Sequence, residues 1–438
     1  MEFRSFTTAA RNALLATAAL SALLAAAPAS ASYLVKHPFA GPGGDGASTF
    51  TNIIKVGSVF YGTTTYGGTG PCPSGCGTFF TMTPGGLENV LYNFQGGNDG
   101  AYPRGSLVLT KTPTGPAIYG TTMQGGAGPA TNCPDFGSCG TVFDWQLNSS
   151  TLNTAYAFQG GADGYAPLSG MALGANGALY GVTMDGGKST SICHTSYSQC
   201  GTIFSIASAS TNAETVLYRF RGMANSDGAN PVGTPLAQGA KLYGTTGYGG
   251  QACTNLPNGC GTVWGFKIST LNESVLYKFQ GMANNDGADP YGQLAMAGGT
   301  LWGTTFYGGA SNNGMVFNLT PVTSTSWAET NIWNFTGGSD GGHPGGGLTQ
   351  MGSTLYGATS SGGNAGCQYL YSSPGCGTIF KVTGTTLTPA IYSFNGVSDG
   401  GNPYDTLIKD GAYLWGTTFG GGTLPSGASA YGTVFRFN

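Results

Sequence analysis

Charged side chains are scarce in this sequence. Lys and Arg contribute 15 of the 438 residues and Asp and Glu contribute 18, so 8% of the chain is charged and the net charge is −3. No basic run or stripe occurs, although surfaces that bind nucleic acid depend on one. A low charge can accompany disorder, but aromatic residues make up 12% of this chain and supply ample material for a core. We therefore expect a folded protein with no nucleic-acid partner.

Long apolar runs are missing everywhere except near the N-terminus. There, two arginines precede an uncharged stretch rich in Leu and Ala (residues 13–27), and Pro28-Ala29-Ser30-Ala31 supplies small residues for cleavage. This order is typical of a signal peptide. The alternative, a transmembrane anchor, needs about 20 apolar residues. We predict a signal peptide at residues 1–31 and a single exported domain at residues 32–438, extracellular or periplasmic, with no membrane span.

Catalytic signatures are also missing. The chain has three histidines, and the serine-triad, phosphate-loop, dinucleotide and zinc-hydrolase motifs do not occur. No helical period of 3.6 persists over a long stretch. Glycine is abundant instead, with 79 residues that punctuate short aromatic and β-branched runs. This composition indicates many short strands joined by tight turns.

Three phrases recur seven times in a fixed order. The first, Tyr-Gly-Thr-Thr or a close variant, begins at positions 61, 119, 180, 243, 302, 356 and 415, and a Gly-Gly pair follows it. The second, Gly-Thr-Val-Phe or similar, begins at positions 77, 140, 201, 261, 314, 377 and 432. The third, Leu-Tyr-x-Phe with a following Asp-Gly, has its Phe at positions 39, 94, 158, 220, 279, 335 and 394. Each unit thus holds four strand-like runs: A after the Asp-Gly, then B, C and D in the three phrases.

Four strands per unit, at a period slightly above the ~50 residues of a kelch repeat, predict an all-β, seven-bladed β-propeller with four antiparallel strands per blade. The mature chain opens with a D strand (residues 33–39) and stops after a C strand (residues 432–437). We expect the N-terminal strand to complete the last blade and close the ring, which would remove open sheet edges. The alternative is a linear array, but nothing resembles the polar capping repeat that such an array needs.

All ten cysteines fall in pairs between a B strand and a C strand. The pairs are Cys72/Cys76, Cys133/Cys139, Cys193/Cys200, Cys253/Cys260 and Cys367/Cys376. The fifth and seventh units lack both members, as local disulfides predict, and export favours oxidation. Zinc is the alternative, but each loop offers two thiols and only the third adds a histidine, His194. We predict five disulfides and no metal bound by cysteine.

The seven Asp-Gly pairs should share one face with the cysteine loops, around the mouth of the central channel. Their aspartates are Asp45, Asp99, Asp163, Asp227, Asp286, Asp340 and Asp399, and in six units a Pro follows four residues later. One interpretation is a turn in which Asp caps backbone amides and Gly takes a positive φ. The other is a ring of calcium sites, and no other cofactor is expected.

Positions that differ between units are the candidate functional residues, because the scaffold does not dictate them. The predicted ligand-binding residues are Tyr66, Asn230, Tyr248, Asp289, Tyr307, Asn402 and Asp405. Aromatic rings suit the apolar faces of sugars, and Asn and Asp suit their hydroxyls. We therefore expect a monomeric protein that binds an extracellular or cell-surface glycan.

An enzyme that degrades polysaccharide is the alternative. In a lyase, Arg104 would neutralise a uronate carboxylate, and His343 or one of Tyr102, Tyr291 and Tyr404 would remove the C5 proton. In a hydrolase, Asp289 and Asp405 are the available carboxylate pair. The third histidine, His37, lies in the first predicted strand and is expected to be structural.

The repeated pattern LYGTTxxGG…GCGTVF…LYxFxGGxDGxxP resembles the GloVer-type tandem repeat of secreted bacterial proteins, and its strand ending in Gly-Gly is similar to that of kelch-like β-propellers. The resemblance covers residues 33–438. It implies a secreted propeller, but it supplies no catalytic residues, because members typically have no assigned function. Many members carry a C-terminal surface anchor, and this sequence shows no such segment, so we expect release or periplasmic residence.

Overall fold

The computed structural model describes residues 32–134, 136–187, 193, 200–207, 213–254, 256–323, 326–367 and 374–438. The predicted signal peptide and His194 lie outside these residues. The fold is a seven-bladed β-propeller whose blades each contain four antiparallel strands. The predicted fold class is therefore confirmed. No helix in the described part of the chain is long and apolar enough to cross a membrane.

The strands follow the repeat units. The first strand of the chain, β1 (Tyr33–Pro38), belongs to the last blade. Blade 1 contains β2 (Ile54–Val56), β3 (Val59–Thr64), β4 (Thr78–Met82) and β5 (Glu88–Asn93). Blade 2 contains β6 (Ala101–Thr112), β7 (Gly115–Gln124), β8 (Thr141–Gln146) and β9 (Thr151–Ala157). Blade 3 contains β10 (Ala172–Leu173), β11 (Leu179–Thr183), β12 (Thr202–Ile206) and β13 (Glu214–Arg219).

The second half repeats this plan with small additions. Blade 4 contains β14 (Gly228–Pro231), β15 (Leu236–Gln238), β16 (Lys241–Gly249), β17 (Thr262–Lys267) and β18 (Asn272–Lys278). The short ladder of β19 (Gly287–Ala288) and β22 (Tyr307–Gly308) accompanies blade 5, which contains β20 (Ala295–Ala297), β21 (Thr300–Thr305), β23 (Met315–Pro321) and β24 (Trp327–Asn334). Blade 6 contains β25 (Thr349–Met351), β26 (Thr354–Thr359), β27 (Thr378–Thr383) and β28 (Thr386–Ser393). Blade 7 contains β29 (Ile408–Asp410), β30 (Tyr413–Thr418) and β31 (Thr433–Phe437). Short 3-10 turns occur at Ala130–Asn132, Met223–Asn225, Ile268–Thr270 and Met282–Asn284.

The last blade takes strands from both ends of the chain. Strand β1 pairs antiparallel with β31, with Tyr33 opposite Phe437 and Pro38 opposite Thr433. Blade 7 also contacts blade 1, because the rings of Phe60 and Trp415 lie 4.3 Å apart. Apolar side chains of these blades form a single buried cluster.

Close packing of one glycine explains the Tyr-Gly-Thr-Thr phrase. In every unit, a Cβ on this glycine would come within 2.5 Å of the aromatic ring on the facing C strand. A Cβ on Gly303 would be 2.4 Å from Phe317, and one on Gly244 would be 2.2 Å from Trp264. Real Cβ contacts do not come this close, so glycine is required where the two strands and the ring meet. The aromatic rings of the Gly-Thr-Val-Phe phrase can thereby fill the core between blades.

The glycine of the Gly-Thr-Val-Phe phrase explains the recurring Pro. In this glycine φ is positive, for example +96° in Gly77, and a Cβ there would be 2.6 Å from Cδ of Pro103 in the next blade. The same relation joins Gly261 to Pro290, at 2.7 Å. Glycine both permits this backbone conformation and leaves room for the Pro ring. The two phrases are therefore coupled across the interface between neighbouring blades.

The five predicted disulfides are confirmed. Bonds join Cys72 to Cys76, Cys133 to Cys139, Cys193 to Cys200, Cys253 to Cys260 and Cys367 to Cys376. The carbonyl of the second cysteine accepts a hydrogen bond from the next blade, as from the amide of Tyr102 to Cys76 at 2.9 Å. In the fifth unit, which has no cysteine, the carbonyl of Asn313 takes this role for the amide of His343. The stapled loops therefore lie beside the Asp-Gly turns.

Candidate functional site

The aspartates of the Asp-Gly turns are held by protein donors. The carboxylate of Asp99 accepts hydrogen bonds from the amide of Gln95 at 2.7 Å and from the hydroxyl of Tyr92 at 3.0 Å. The other six turns repeat this arrangement, with His37 replacing the tyrosine at Asp45 and Trp333 replacing it at Asp340. The aspartates concerned are Asp45, Asp163, Asp227, Asp286, Asp340 and Asp399. This agrees with a turn in which Asp caps backbone amides, while calcium at these turns stays a prediction.

One of these turns has a composition that could bind a metal ion. The ligand atoms of His37, Asp45 and Glu88 lie within 4.8 Å of one another. Nε2 of His37 is 2.7 Å from the carboxylate of Asp45. Within the described ranges, this is the one group of three such residues that comes together.

The residue three positions after each Asp has a left-handed backbone in all seven units. The residues are Ser48, Tyr102, Ala166, Asn230, Asp289, His343 and Asn402, with φ between 50° and 56°. A side chain makes this conformation unfavourable by roughly 1–2 kcal/mol, and Asn, Asp and His are enriched in it. Four of the seven residues are of these types. Backbone conformation is therefore one reason for their presence.

Side chains at this position mostly contact the preceding blade. Asn230 donates to the carboxylate of Asp185 at 2.9 Å and to the carbonyl of Met184 at 3.1 Å. Asn402 is 4% exposed and donates to the carbonyl of Ser360 at 2.6 Å. The ring of Tyr102 packs edge-on against Tyr66, with centroids 5.5 Å apart. None of Tyr102, Asn230 and Asn402 lines the central cavity described below.

His343 is also removed from this cavity. The residue is 4% exposed, and Nδ1 is 2.8 Å from the hydroxyl of Ser361. The centroid of its ring lies 5.0 Å from that of Phe306 and 5.3 Å from that of Tyr307. Burial lowers the pKa of His343 to about 4, so the imidazole is neutral at neutral pH. Arg104 lines the central cavity and His343 does not. The convergence of these two residues that the lyase hypothesis expected stays a prediction.

Asp289 is the exception at this position. It lies beside Gly247, whose missing side chain leaves room: a Cβ there would be 2.6 Å from Oδ1 of Asp289. The carboxyl group therefore reaches the cavity wall. Burial raises its pKa to about 8, and no charged group opposes this effect.

The cavity, which we call the central cavity, has a volume of about 480 Å³ and is lined by residues from all seven units. The residue five positions after each Asp lines it in every unit. These residues are Phe50, Arg104, Leu168, Val232, Tyr291, Gly345 and Tyr404. The volume lies in the range of ~300–1,000 Å³ that small-molecule sites occupy. One repeated position therefore supplies the wall, and its side chain changes from unit to unit.

Eight aromatic rings line the central cavity: Phe50, Tyr66, Tyr248, Tyr291, Phe306, Tyr307, Tyr404 and Phe419. Phe50, Tyr404 and Phe419 form one cluster, with the ring of Phe50 at 5.3 Å from Tyr404 and 4.7 Å from Phe419. Tyr291 and Phe306 belong to a second cluster, with centroids 5.8 Å apart. The two clusters come from blades 7 and 1 and from blade 5, so apolar faces border the cavity on separate sides.

The cavity wall also carries polar side chains, and two of them, Asp289 and Asp405, bear carboxyl groups. Asp405 accepts a hydrogen bond from the amide of Thr406 at 2.6 Å. Burial raises the pKa of Asp405 to about 7, although hydrogen bonds from the backbone of Thr406 and Asn52 act in the opposite direction. Oδ2 of Asp405 is shut off from solvent and has no hydrogen-bond partner. Around neutral pH, the carboxyl groups of Asp289 and Asp405 can accept or donate hydrogen bonds.

Of the predicted ligand-binding residues, the structure brings Tyr66, Tyr248, Asp289, Tyr307 and Asp405 into the central cavity. Arg104, Tyr291 and Tyr404 line it as well. Sequence reasoning missed Phe50, because the first unit has no Pro to mark the position. Counting five residues from Asp45 would have found it. Phe419 follows the Thr-Thr of its unit, as Phe306 does, and could have been found by that alignment.

Comparison with known proteins gives a family and several structures of similar shape. The family model of the Gloeobacter/Verrucomicrobia repeat matches residues 130–371. No curated protein matches the sequence. TolB from Acinetobacter baumannii is 11% identical with a TM-score of 0.38, over 73% of this chain and 60% of that one. A puromycin-hydrolyzing peptidase of Mycobacterium tuberculosis is 12% identical with a TM-score of 0.42, over 86% and 48%. An acylaminoacyl peptidase of Pyrococcus horikoshii is 9% identical with a TM-score of 0.46, over 90% and 51%. The chain therefore spans about half the length of these peptidases.

Proposed function

The chain belongs to the Gloeobacter/Verrucomicrobia repeat family, and we propose that it is a secreted protein that binds an extracellular glycan in its central cavity. The observation that carries this proposal is the wall of the cavity, which combines eight aromatic rings with two carboxyl groups and one guanidinium. Sugars present apolar faces that pack on aromatic rings and hydroxyls that pair with carboxyl groups. Five disulfides support an oxidising location, extracellular or periplasmic.

Glycan binding can be tested by affinity electrophoresis in gels that contain neutral or acidic polysaccharides. We expect at least one polysaccharide to retard the protein, and Tyr291→Ala to weaken this retardation by about fivefold or more, because the ring is lost from the wall. Tyr431→Ala is the matched control, since Tyr291 and Tyr431 are similarly exposed, at 41% and 49%, and Tyr431 does not line the cavity. Migration unchanged by every polysaccharide, or equal effects of both substitutions, would contradict the proposal.

Hydrolysis of a polysaccharide is the second candidate, because Asp289 and Asp405 line the same cavity and burial raises the pKa of both. A glycosidase needs one protonated and one ionised carboxyl group. With pKa values of about 8 and about 7, this state is most populated between these values. We expect any release of reducing sugar to peak there and to be lost in Asp289→Asn. Glycan binding without release of reducing ends at any pH from 5 to about 9 would exclude hydrolysis.

Secretion has its own test. We propose that the signal peptide is removed before Ser32, and N-terminal sequencing of protein recovered from the periplasm or the medium of an expressing bacterium would establish the start. Protein retained in the cytoplasm with its first residue intact would refute export.

Size-exclusion chromatography with light scattering would test the proposed monomer.

A further inference from the structure

Arg104 occupies the wall position of the second unit, five residues after Asp99. Its guanidinium carbon lies 4.2 Å from the centroid of Phe50, on the face of that ring. Nε is shut off from solvent and has no hydrogen-bond partner. Among the described residues that line the central cavity, Arg104 is the one that carries a positive charge. Packing on Phe50 therefore holds the cation at the edge of the cavity.

No counterion neutralises this cation within the described part of the chain. The ion pairs found there are His37 with Asp45, Lys55 with Asp410, and Arg221 with Asp227. The two carboxyl groups of the cavity do not pair with Arg104, because a nearby cation would lower their pKa values, and no cation contributes to the pKa of Asp289 or Asp405. The wall thus carries a cation on blade 2 and two carboxyl groups that burial favours in their neutral form.

A partly buried guanidinium without a counterion is costly unless a ligand supplies one. Its planar fork fits a carboxylate, which can accept two parallel N–H hydrogen bonds. The remaining wall residues are suited to the ring and hydroxyls of the same ligand, since aromatic rings and carboxyl groups line the same cavity. A sugar with a carboxylate satisfies both requirements.

We propose that Arg104 makes the central cavity selective for acidic glycans, in which the carboxylate of a uronic acid residue pairs with the guanidinium. This inference rests on the proposed glycan-binding function and specifies its ligand class. Leu168, Val232 and Gly345 hold the equivalent wall position in other units and bring no charge, so the selectivity is assigned to one residue.

The test compares matched probes that differ only in charge. Polygalacturonate and alginate are the acidic probes, their methyl and propylene-glycol esters are the uncharged counterparts, and a β-glucan is the neutral reference. Dissociation constants are measured for the full chain by affinity electrophoresis and calorimetry. We expect at least one acid to bind about tenfold or more tightly than its ester, as charge-assisted hydrogen bonds are stronger than neutral ones.

Substitutions of Arg104 then test whether this residue causes the preference for the acidic glycan. Arg104→Gln should abolish the preference for the acid, so that acid and ester bind with similar affinity. Arg104→Lys should retain part of the preference, because the charge stays and the fork is lost. Arg436→Gln is the control, since Arg436 lies 4.0 Å over the ring of Tyr413 but outside the cavity. Thermal melting checks that each variant is folded.

The outcomes separate the two proposals. Equal affinity for acids and esters, or a preference that survives Arg104→Gln, overturns the assignment of Arg104 and leaves glycan binding intact. Absence of binding to every probe overturns both. Loss of the preference in Arg436→Gln as well would show that it comes from general surface charge, and this too overturns the inference.

Discussion

The carboxyl group of Glu214 lies against that of Asp163, across the contact between the outer strand of blade 3 and the turn that enters that blade. Oε1 of Glu214 is buried and has no hydrogen-bond partner. The same atom is buried and unpartnered in Glu88, Glu273 and Glu329, which begin or lie in the outer strands of blades 1, 4 and 5. Burial is the main cause that raises the pKa of Glu88 and Glu329 to about 7 and that of Glu214 and Glu273 to about 8.

These glutamates make stability depend on pH in a defined direction. Their pKa values in the folded protein exceed the ordinary value of 4.5, so the folded state binds more protons than the unfolded state between these values. Their contribution is complete below about pH 4.5 and is lost as the pH rises through 7 to 8. We expect the melting temperature to fall between pH 5 and about pH 8.5, and Glu214→Gln to flatten this fall. A melting temperature that rises over this interval would contradict the assignment.

The glycine of the Tyr-Gly-Thr-Thr phrase should not tolerate a methyl group. Gly303→Ala places Cβ 2.4 Å from the ring of Phe317 and 2.8 Å from Leu294. We expect a loss of about 1–3 kcal/mol in the free energy of unfolding, measured with urea, because the buried ring must move. Gly85→Ala is the control, since its nearest neighbour would be 3.6 Å away. Equal effects of the two substitutions would refute the packing explanation.

Each disulfide should stabilise its own loop by a similar amount. Cys133 and Cys139 lie 6 positions apart in the sequence, and the chain-entropy estimate for so short a loop is about 2 kcal/mol. We expect the double substitution to serine to lower the free energy of unfolding by about this amount. The fifth unit provides a comparison without cysteine, since Nδ2 of Asn313 donates to the carbonyls of Ser311 at 3.0 Å and Thr336 at 2.8 Å. A double variant as stable as the parent would show that the disulfide is dispensable.

Calcium is expected to add little stability at the Asp-Gly turns. The carboxylate of Asp227 already accepts hydrogen bonds from the hydroxyl of Tyr218 at 2.8 Å and from the amide of Arg221 at 2.9 Å. A calcium ion needs 6–8 oxygen ligands and would have to compete with these donors. We expect the same melting temperature in calcium and in EDTA. An increase of several degrees with calcium would favour the alternative interpretation, a ring of calcium sites.

The repeat made the fold predictable, because the same three phrases mark strands B, C and D in every unit. Cysteine pairing was predictable as well, since both partners lie in one loop. The residues that line the cavity were harder to predict. The residues directly before and after the Pro both differ between units, but their side chains point in different directions. Tyr404 lines the central cavity, whereas Asn402 turns to the carbonyl of Ser360. The residue before the Pro has a left-handed backbone in every unit that has this Pro, whatever its side chain. The direction of this side chain is therefore set by the turn as a whole and cannot be read from the residue type alone.

Asp289 shows why the remaining details depend on three-dimensional contacts. Its position in the turn is the same as that of His343, yet its carboxyl reaches the cavity because Gly247 of the preceding blade leaves space. This relation joins residues of different units and follows no repeated phrase. Only the packing of adjacent blades reveals it.

The side chain at the wall position five residues after each Asp differs from unit to unit. Phe50, Leu168 and Gly345 occupy it with very different volumes while the hydrogen bonds of the neighbouring turns stay alike. Such an arrangement allows the cavity wall to change one unit at a time while the hydrogen bonds of the turns are kept. Proteins with this architecture could therefore acquire different cavity walls, as variable loops differ on a constant scaffold. A library randomised at the seven wall positions would test how many side chains the framework accepts there.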